Sequence, residues 1–470
     1  MKIKVSRARK AAFEVLLKFE KGEIKFLKES LNRFTETHEI QKNDLALATD
    51  IVYGVMRWRG LLDFKISKFS QKKISSIDKE VLIILRMSVY QFLFLNKIPP
   101  RAVVDEGVKL AYYCRKRSAA DFINGILREF LRKGKEAWGM EHGAEGREHG
   151  AERLGIEAGD IKALSIACSH PEWMVRRWMS RFGLERVKRL CKFNNEIPPN
   201  AIRVNTIKTT RSHLAELFTE QKMECEFSKY CEDGLIVPSL QGIAQNPLFK
   251  KGYFYIQDEG SMLVSRILKP EPGENILDLC SAPGGKTTHI AQIMGDKGLV
   301  IALDNKFGRL SIIKENCSRM GISALKIICG DGRESGSLLK MKFDKVLVDA
   351  PCSGTGILRR NPEIKWMRSF SDIVDLKKLQ EKILNNACYC VKPNGILVYS
   401  TCSIELEENQ EVIESFMSNH KNFVLEKITD EIPHKARKFV TKEGYFQSLP
   451  DIMDNPAPDG FFVAKMRKMS

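Results

Sequence analysis

Apolar residues recur at helical spacing through the first 134 positions. Ala11, Phe13, Leu16 and Leu17 alternate with Lys and Glu, and Leu45, Ala48, Ile51, Val52 and Val55 repeat the pattern. Val81 to Phe94 and Phe122, Ile126, Leu127 and Phe130 continue it, with Pro99-Pro100 breaking the series before another helix near Val103. An all-α domain over 1–134 is expected. Between 135 and 158 the periodicity stops, and a segment running from Glu141 to Arg147 is nearly duplicated from Glu148 to Arg153. His142 and His149 in those copies suggest a metal, but the glycines, low hydrophobicity and lack of further ligands predict a flexible linker.

Residues 159–240 read as a small α+β subdomain. Ser169-His170-Pro171-Glu172-Trp173 opens an amphipathic helix, with His170 expected as a structural cap, and strands are predicted near Arg203-Val204-Asn205-Thr206 and Leu235-Ile236-Val237-Pro238. Phe254 to Ser261 leads into the last domain, 241–470. There, short apolar runs ending at Cys280, Asp304, Asp331, Pro351 and Cys402 alternate with helical stretches near 286–294, 308–321, 372–391 and 405–419. Such alternation predicts a parallel sheet with helices on both faces. Asp459 to Lys465 suits a final, antiparallel strand.

The 470 residues suffice for two or three domains, and 43% hydrophobic content for ordinary cores. The longest apolar run, Val81 to Leu95, contains Arg86 and Gln91, so a soluble, cytoplasmic chain without a signal peptide is expected. Twelve cysteines without a Cys-x-x-Cys pair favour free thiols in a reducing compartment over disulfides or zinc. Charge changes the picture more. Residues 1–135 hold 29 Lys and Arg against 15 Asp and Glu, which is +14 of the net +17. That asymmetry points to a polyanion, most simply nucleic acid. Arg57, Trp58, Arg59, Arg115, Lys116, Arg117, Arg128 and Arg132 are candidates for the surface that meets it.

The chemistry concentrates at strand ends. Asp349-Ala350-Pro351-Cys352-Ser353-Gly354-Thr355-Gly356 and Ser400-Thr401-Cys402-Ser403 each follow a buried-strand pattern, so both thiols are expected at one crevice. Upstream, Cys280-Ser281-Ala282-Pro283-Gly284-Gly285-Lys286 joins the first strand to its helix. It is not a P-loop, because the first required glycine falls on Cys280, and it lacks the dinucleotide fingerprint. What remains is a glycine turn where backbone approaches a ligand closely. Asp304 ends the second strand and is placed to bind ribose hydroxyls; Asp331 ends the third and is placed to receive an adenine amino group. Arg359, Arg360 and Lys365, after the Pro-Cys loop, are candidate phosphate contacts.

These residues carry a resemblance. The Asp-Ala-Pro-Cys-Ser-Gly-Thr-Gly and Ser-Thr-Cys-Ser stretches resemble the paired-cysteine signature of RNA 5-methylcytosine methyltransferases, and the whole chain is similar to the bacterial Sun/Fmu (RsmB) family. The resemblance implies a helical NusB-like RNA-binding domain, including Asn124 to Arg128, then a small RRM-like subdomain and a Rossmann-like class I methyltransferase domain. It implies S-adenosylmethionine as cofactor, bound by Cys280 to Lys286 with Asp304, Asp331 and Asp349. Ser281 departs from the family's usual alanine. It further implies that Cys402 is the nucleophile, that Cys352 acts in release and that Asp349 hydrogen-bonds the ring nitrogen. Chemistry alone does not order the cysteines, and DNA cytosine methyltransferases use a Pro-Cys nucleophile. The implied substrate is a cytosine of 16S ribosomal RNA, cytosine 967, in an unassembled or partly assembled small subunit, with a monomeric enzyme needing no metal and no membrane. A transfer-RNA methyltransferase and a non-catalytic RNA-binding assembly factor are the alternatives.

Overall fold

The computed structural model describes residues 5–37, 41–137, 160–239, 242–450 and 458–470. Packing divides the chain into two compact units, Met1–Ile197 with Leu358–Met367, and Pro198–Ile357 with Arg368–Ser470. The predicted linker with His142 and His149 lies outside the described residues, apart from its first residues, which continue a helix.

The first unit is helical: α1 (Arg7–Glu20), α2 (Leu27–Thr37), α3 (Lys42–Phe69), α4 (Lys79–Phe94), α5 (Pro100–Tyr113), α6 (Ala120–Ala137), α7 (Ile161–Ala167), α8 (Glu172–Phe182) and α9 (Leu184–Asn195). The apolar stripes read from the sequence meet in one core, where Phe13, Leu16, Ile51, Val55, Ile84 and Leu127 are buried. Pro99 precedes α5 and Pro100 opens it, where a missing N–H costs nothing. Helices α3 and α4 approach so closely that a Cβ at Gly54 would lie 1.9 Å from the Tyr90 ring. Buried Arg86 makes a fork to Asp63 at 2.7 and 2.8 Å.

Helices α7 to α9, which precede the small sheet, pack with the helical unit. Two sequence expectations change here. His170 is not a cap: Pro171 holds that position without a side-chain bond, and the buried imidazole places Nδ1 2.7 Å from the Cys168 carbonyl. Burial holds its pKa well below the usual histidine range. Arg57, Arg359 and Lys365 do not face solvent. Lys365 is fully buried and donates to the carbonyls of Arg57 (2.8 Å) and Ser169 (2.9 Å) and to Asn195 Oδ1 (3.0 Å). Arg57 donates to the Arg359 carbonyl at 3.0 Å, and the Arg359 guanidinium lies 4.0 Å from the Phe193 ring centre. A lysine among backbone oxygens can neutralise no phosphate.

The second unit begins with a small antiparallel sheet, order β2-β3-β1-β4. It is formed by β1 (Asn200–Val204), α10 (Arg211–Glu220), β2 (Glu226–Phe227), β3 (Gly234–Val237), α11 (Pro247–Lys250) and β4 (Phe254–Ile256). The chain continues as α12 (Glu259–Leu268), β5 (Asn275–Leu279), α13 (Gly285–Ile293), β6 (Leu299–Asp304), α14 (Phe307–Met320), β7 (Leu325–Cys329), α15 (Ser335–Leu338) and β8 (Phe343–Asp349). After α16 (Ile364–Met367), which belongs to the helical unit, come α17 (Phe370–Ala387), β9 (Val391–Thr401), α18 (Gln410–Asn419), β10 (Phe423–Glu426), β11 (Phe446–Ser448) and β12 (Phe461–Lys468). The large sheet runs β10-β12-β9-β8-β5-β6-β7, with β11 paired to β12. Strands β5 to β9 are parallel, and β12 is antiparallel to β9, as its sequence suggested. Alternate residues of one strand enter different cores: Ile276, Leu347 and Val398 on one face, Leu277, Val346 and Leu397 on the other. Strand order reverses between β8 and β5, and ligands bind parallel sheets at such a switch, beyond the carboxyl ends of the strands.

Candidate active site

Strands β8 and β9 are neighbours in register, Asp349 opposite Ser400, so the loops that follow them emerge side by side. The Ala350 N–H bonds the Ser400 carbonyl at 2.9 Å, and the Gly356 N–H bonds the Cys402 carbonyl at 2.9 Å. Gly356 must be glycine, because a Cβ there would lie 2.1 Å from the Gly460 carbonyl oxygen. Held this way, the Cys352 and Cys402 sulfurs are 3.0 Å apart as free thiols. All twelve cysteines are free.

Asp349 ends β8. Its Oδ2 takes Lys286 Nζ at 2.7 Å and its Oδ1 takes the Ser400 hydroxyl at 2.9 Å. Burial opposes a charge on Lys286, but the Asp349 carboxylate overrides it and raises the lysine pKa, with Cys402 contributing in the same direction. Lys286, expected only in the cofactor loop, therefore also reaches the cysteines' neighbourhood.

The loop from β5 to α13 is tight. Cys280 has φ 60°, Gly284 has φ 96°, and a Cβ on Gly285 would meet the Tyr255 ring at 3.3 Å. Arg203 on β1, a lone charge inside an apolar run, props it. The guanidinium donates to the Gly285 carbonyl (2.6 Å), Thr288 Oγ1 (2.9 Å) and Gln292 Oε1 (3.1 Å), and to Gln257 of the Phe254–Ser261 segment. Asp304 accepts the Ala282 and Lys306 N–H groups at 3.1 and 2.9 Å, which leaves carboxylate lone pairs for a ligand. Asp331 is forked by Arg333, at 3.0 Å from Nε and 2.6 Å from Nη2. Two buried oxygens in this loop, Asp278 Oδ1 and Ser281 Oγ, have no protein partner. Burial raises the Asp278 carboxyl to about 7 despite the Thr287 bond. Orphaned acceptors, glycine-permitted approach and carboxylates at the ends of β5, β6, β7 and β8 fit a polar, cationic ligand such as S-adenosylmethionine.

Comparison with known proteins places this geometry. Family models match residues 265–467 (16S rRNA methyltransferase RsmB/F), 6–132 (NusB family) and 170–243 (RsmF/B-like methyltransferase, ferredoxin-like domain). A Bacillus subtilis protein named probable ribosomal RNA small subunit methyltransferase B is 35% identical over 99% of this chain and 100% of its own. The chain belongs to the ribosomal RNA small subunit methyltransferase B family. A Pasteurella multocida member is 35% identical over 92% of this chain and 90% of its own. Among solved structures, that titled PH0851 covers 97% of this chain and 98% of its own, with TM-score 0.80 and 25% identity. A methyltransferase homologue from Pyrococcus horikoshii covers 67% of this chain and 100% of its own, with TM-score 0.58 and 30% identity. The architecture is thus a NusB domain, a ferredoxin-like subdomain and a Rossmann-like methyltransferase domain. The ferredoxin-like match starts at 170, inside helices that pack with the helical unit, whereas the sheet itself starts at Asn200.

Two residues beside the paired cysteines, Glu408 and Asn409, escaped the sequence reading. They lie between the second cysteine loop and α18; Glu408 bonds both cysteine loops, and Asn409 bonds Thr401 and Ser403 of the Cys402 loop. Their signal was the Glu407-Glu408-Asn409 run, beginning six residues past Thr401, which reads as an exposed helix start. No helix among the described residues is long and apolar enough to cross a membrane, and no described group of acidic, His and Cys side chains could hold a metal.

Proposed function

We propose that this protein methylates carbon 5 of a cytosine in 16S ribosomal RNA, with S-adenosylmethionine as methyl donor. The observation that carries the reading is the pair of thiols 3.0 Å apart beside the Lys286–Asp349 ion pair. Family membership supports ribosomal RNA as substrate, and resemblance supports cytosine 967.

Carbon 5 of cytosine is too poor a nucleophile to be methylated unaided. The Cys402 thiolate adds to carbon 6, a sulfur–carbon bond forms, and the 5,6 double-bond electrons move onto the ring, which makes carbon 5 reactive. As electrons accumulate, the ring nitrogen takes up a proton from water and donates it in a hydrogen bond to the Asp349 carboxylate, and Lys286 holds positive charge beside it. The bound cofactor supplies an electrophilic sulfonium methyl. Residues Cys280 to Lys286 with Asp304, Asp331 and Asp349 would hold it. In release, carbon 5 gives its proton to water, the double bond re-forms and the carbon 6–sulfur bond breaks. Cys352 acts here, its S–H against the departing sulfur. The cytosine must leave its stack to reach the sulfur, so an unpaired or flipped base is required. The basic excess of residues 1–135 supports the helical unit as the RNA-holding part.

Methyl transfer from labelled cofactor to unmethylated 16S RNA tests this. Cys402→Ala should lose at least about four orders of magnitude in rate. Cys352→Ala should accumulate a protein–RNA adduct stable on denaturing gels. An adduct with Cys402→Ala instead reverses the cysteine roles. Transfer to transfer RNA alone overturns the substrate, and transfer to no RNA overturns the enzyme reading.

A further inference from the structure

Glu408 is a fully buried carboxylate. Its Oε1 accepts the Ser353 N–H at 2.7 Å and Gln380 Nε2 at 3.0 Å; its Oε2 accepts the Ser353 and Ser403 hydroxyls, each at 2.5 Å. Ser353 and Ser403 immediately follow Cys352 and Cys402. The Ser403 oxygen is itself an acceptor for the Glu405 N–H at 3.1 Å, so its proton points to Glu408. Gln380 also donates to the Pro351 carbonyl at 2.9 Å, and Asn409 Nδ2 to the Ser403 carbonyl at 2.8 Å. Four donors converge on one carboxylate and support its ionised form against burial, which raises its pKa above the usual carboxylate range.

We propose that Glu408 is a positioning residue of the two-cysteine site: its buried carboxylate ties both loops together and keeps Cys352 a thiol, so that the thiolate forms at Cys402. Two of its four bonds come from Ser353 and one from Ser403, so the negative charge is anchored at the Cys352 loop. On the other side, Lys286 faces Cys402 and Asp349. The groups around Cys352 are Cys402, Glu408, Tyr399 and the Arg368 guanidinium, which donates to the Cys352 and Ser353 carbonyls at 3.3 and 3.2 Å. The bond to Cys402 and then burial push the Cys352 thiol well above its usual range, and the Glu408 charge acts in the same direction. This assignment rests on the methyltransferase reading but reaches the nucleophile without the family resemblance.

The test is alkylation of the full chain by iodoacetamide across pH, with initial rates read at the Cys352 and Cys402 peptides by mass spectrometry. The wild type should alkylate Cys402 at lower pH than Cys352. Glu408→Gln should lower the Cys352 midpoint by about one pH unit and leave Cys402 nearly in place. It should also cut kcat for methyl transfer at least tenfold, with KM for S-adenosylmethionine unchanged. Glu408→Asp keeps the charge and should restore most of the Cys352 midpoint and part of kcat. A lower midpoint for Cys352 than Cys402 in the wild type overturns the proposal. So do unmoved midpoints in a folded Glu408→Gln. Where that variant does not fold, Glu408→Asp, with its carboxylate withdrawn from Ser353, must still lower the Cys352 midpoint by a smaller amount, and no shift overturns the proposal. Neither RNA nor cofactor enters the thiol titration, so its failure is separate from a failure of the methyltransferase reading, which shows as absent methyl transfer.

Discussion

Lys286 and Lys365 are both buried lysines in segments that follow motif loops, and their surroundings make them opposites. Lys286, in the catalytic unit, meets the Asp349 carboxylate at 2.7 Å, and its pKa rises despite burial. Lys365, in the helical unit, meets three oxygens of neutral groups; burial and then Arg57 lower it to about 7. Hydrogen bonds alone satisfy an ammonium's donors, but a counter-charge is what offsets the desolvation cost of its charge. The first lysine is equipped for chemistry. The second ties three chain segments together.

Exchanging each for an apolar residue should separate the two roles. Lys286→Met leaves Asp349 without its counter-charge and removes the positive charge beside the paired cysteines. Methyl transfer should fall about 100- to 1,000-fold, or about 3–4 kcal/mol in the barrier. The four described tryptophans (58, 173, 178 and 366) lie in the helical unit, so their fluorescence reads that unit's unfolding. Lys286→Met should move that unfolding by less than about 0.5 kcal/mol. A rate within threefold of wild type would show that Asp349 works without the lysine.

The converse variant is Lys365→Ala. It leaves the Arg57 and Ser169 carbonyls and Asn195 Oδ1 short of a donor and opens a cavity, so tryptophan-monitored denaturation should lose about 3 kcal/mol. The rate per folded molecule should not change. The lowered pKa adds a sign. From pH 7 upward the unfolded lysine, with its usual value of 10.5, binds a proton that the folded one does not, so stability contributed by this site rises with pH. Lys65, lowered to about 8, joins in the same direction only above that pH. Between pH 7 and 8 the wild type should therefore gain up to about 1.4 kcal/mol per pH unit relative to Lys365→Met. A flat difference would mean that the three oxygens keep the ammonium charged.

What the amino-acid order revealed follows the same division. Strand ends, loops and the two cysteine segments were legible because turn residues and apolar runs are local signals, and the register of β8 and β9 then brings both loops together. Burial of charge is not local. Arg359 and Lys365 resemble a phosphate-binding run until Arg57 and Ser169, distant in sequence, close over them. Glu408 resembles a solvated helix start until Ser353 and Ser403 turn their hydroxyls to it. Arg203 read only as part of a predicted strand, and it also props the loop between β5 and α13. In each case the missing information was the partner, and no periodicity encodes a partner.

A second ion pair marks the weak end of the comparison. Asp331 is forked by Arg333 as Asp349 is gripped by Lys286, but Arg333 is half exposed, and such pairs contribute about 0–1 kcal/mol. The pairing lowers the Asp331 pKa, so the carboxylate is charged at neutral pH with or without the arginine. To receive an adenine amino group, Asp331 must surrender part of the fork. Arg333→Ala removes that competition, and cofactor binding measured by calorimetry should tighten by about twofold, or about 0.4 kcal/mol. Weakening of tenfold or more would instead make Arg333 a direct cofactor contact, and Asp331 the residue that holds it in place.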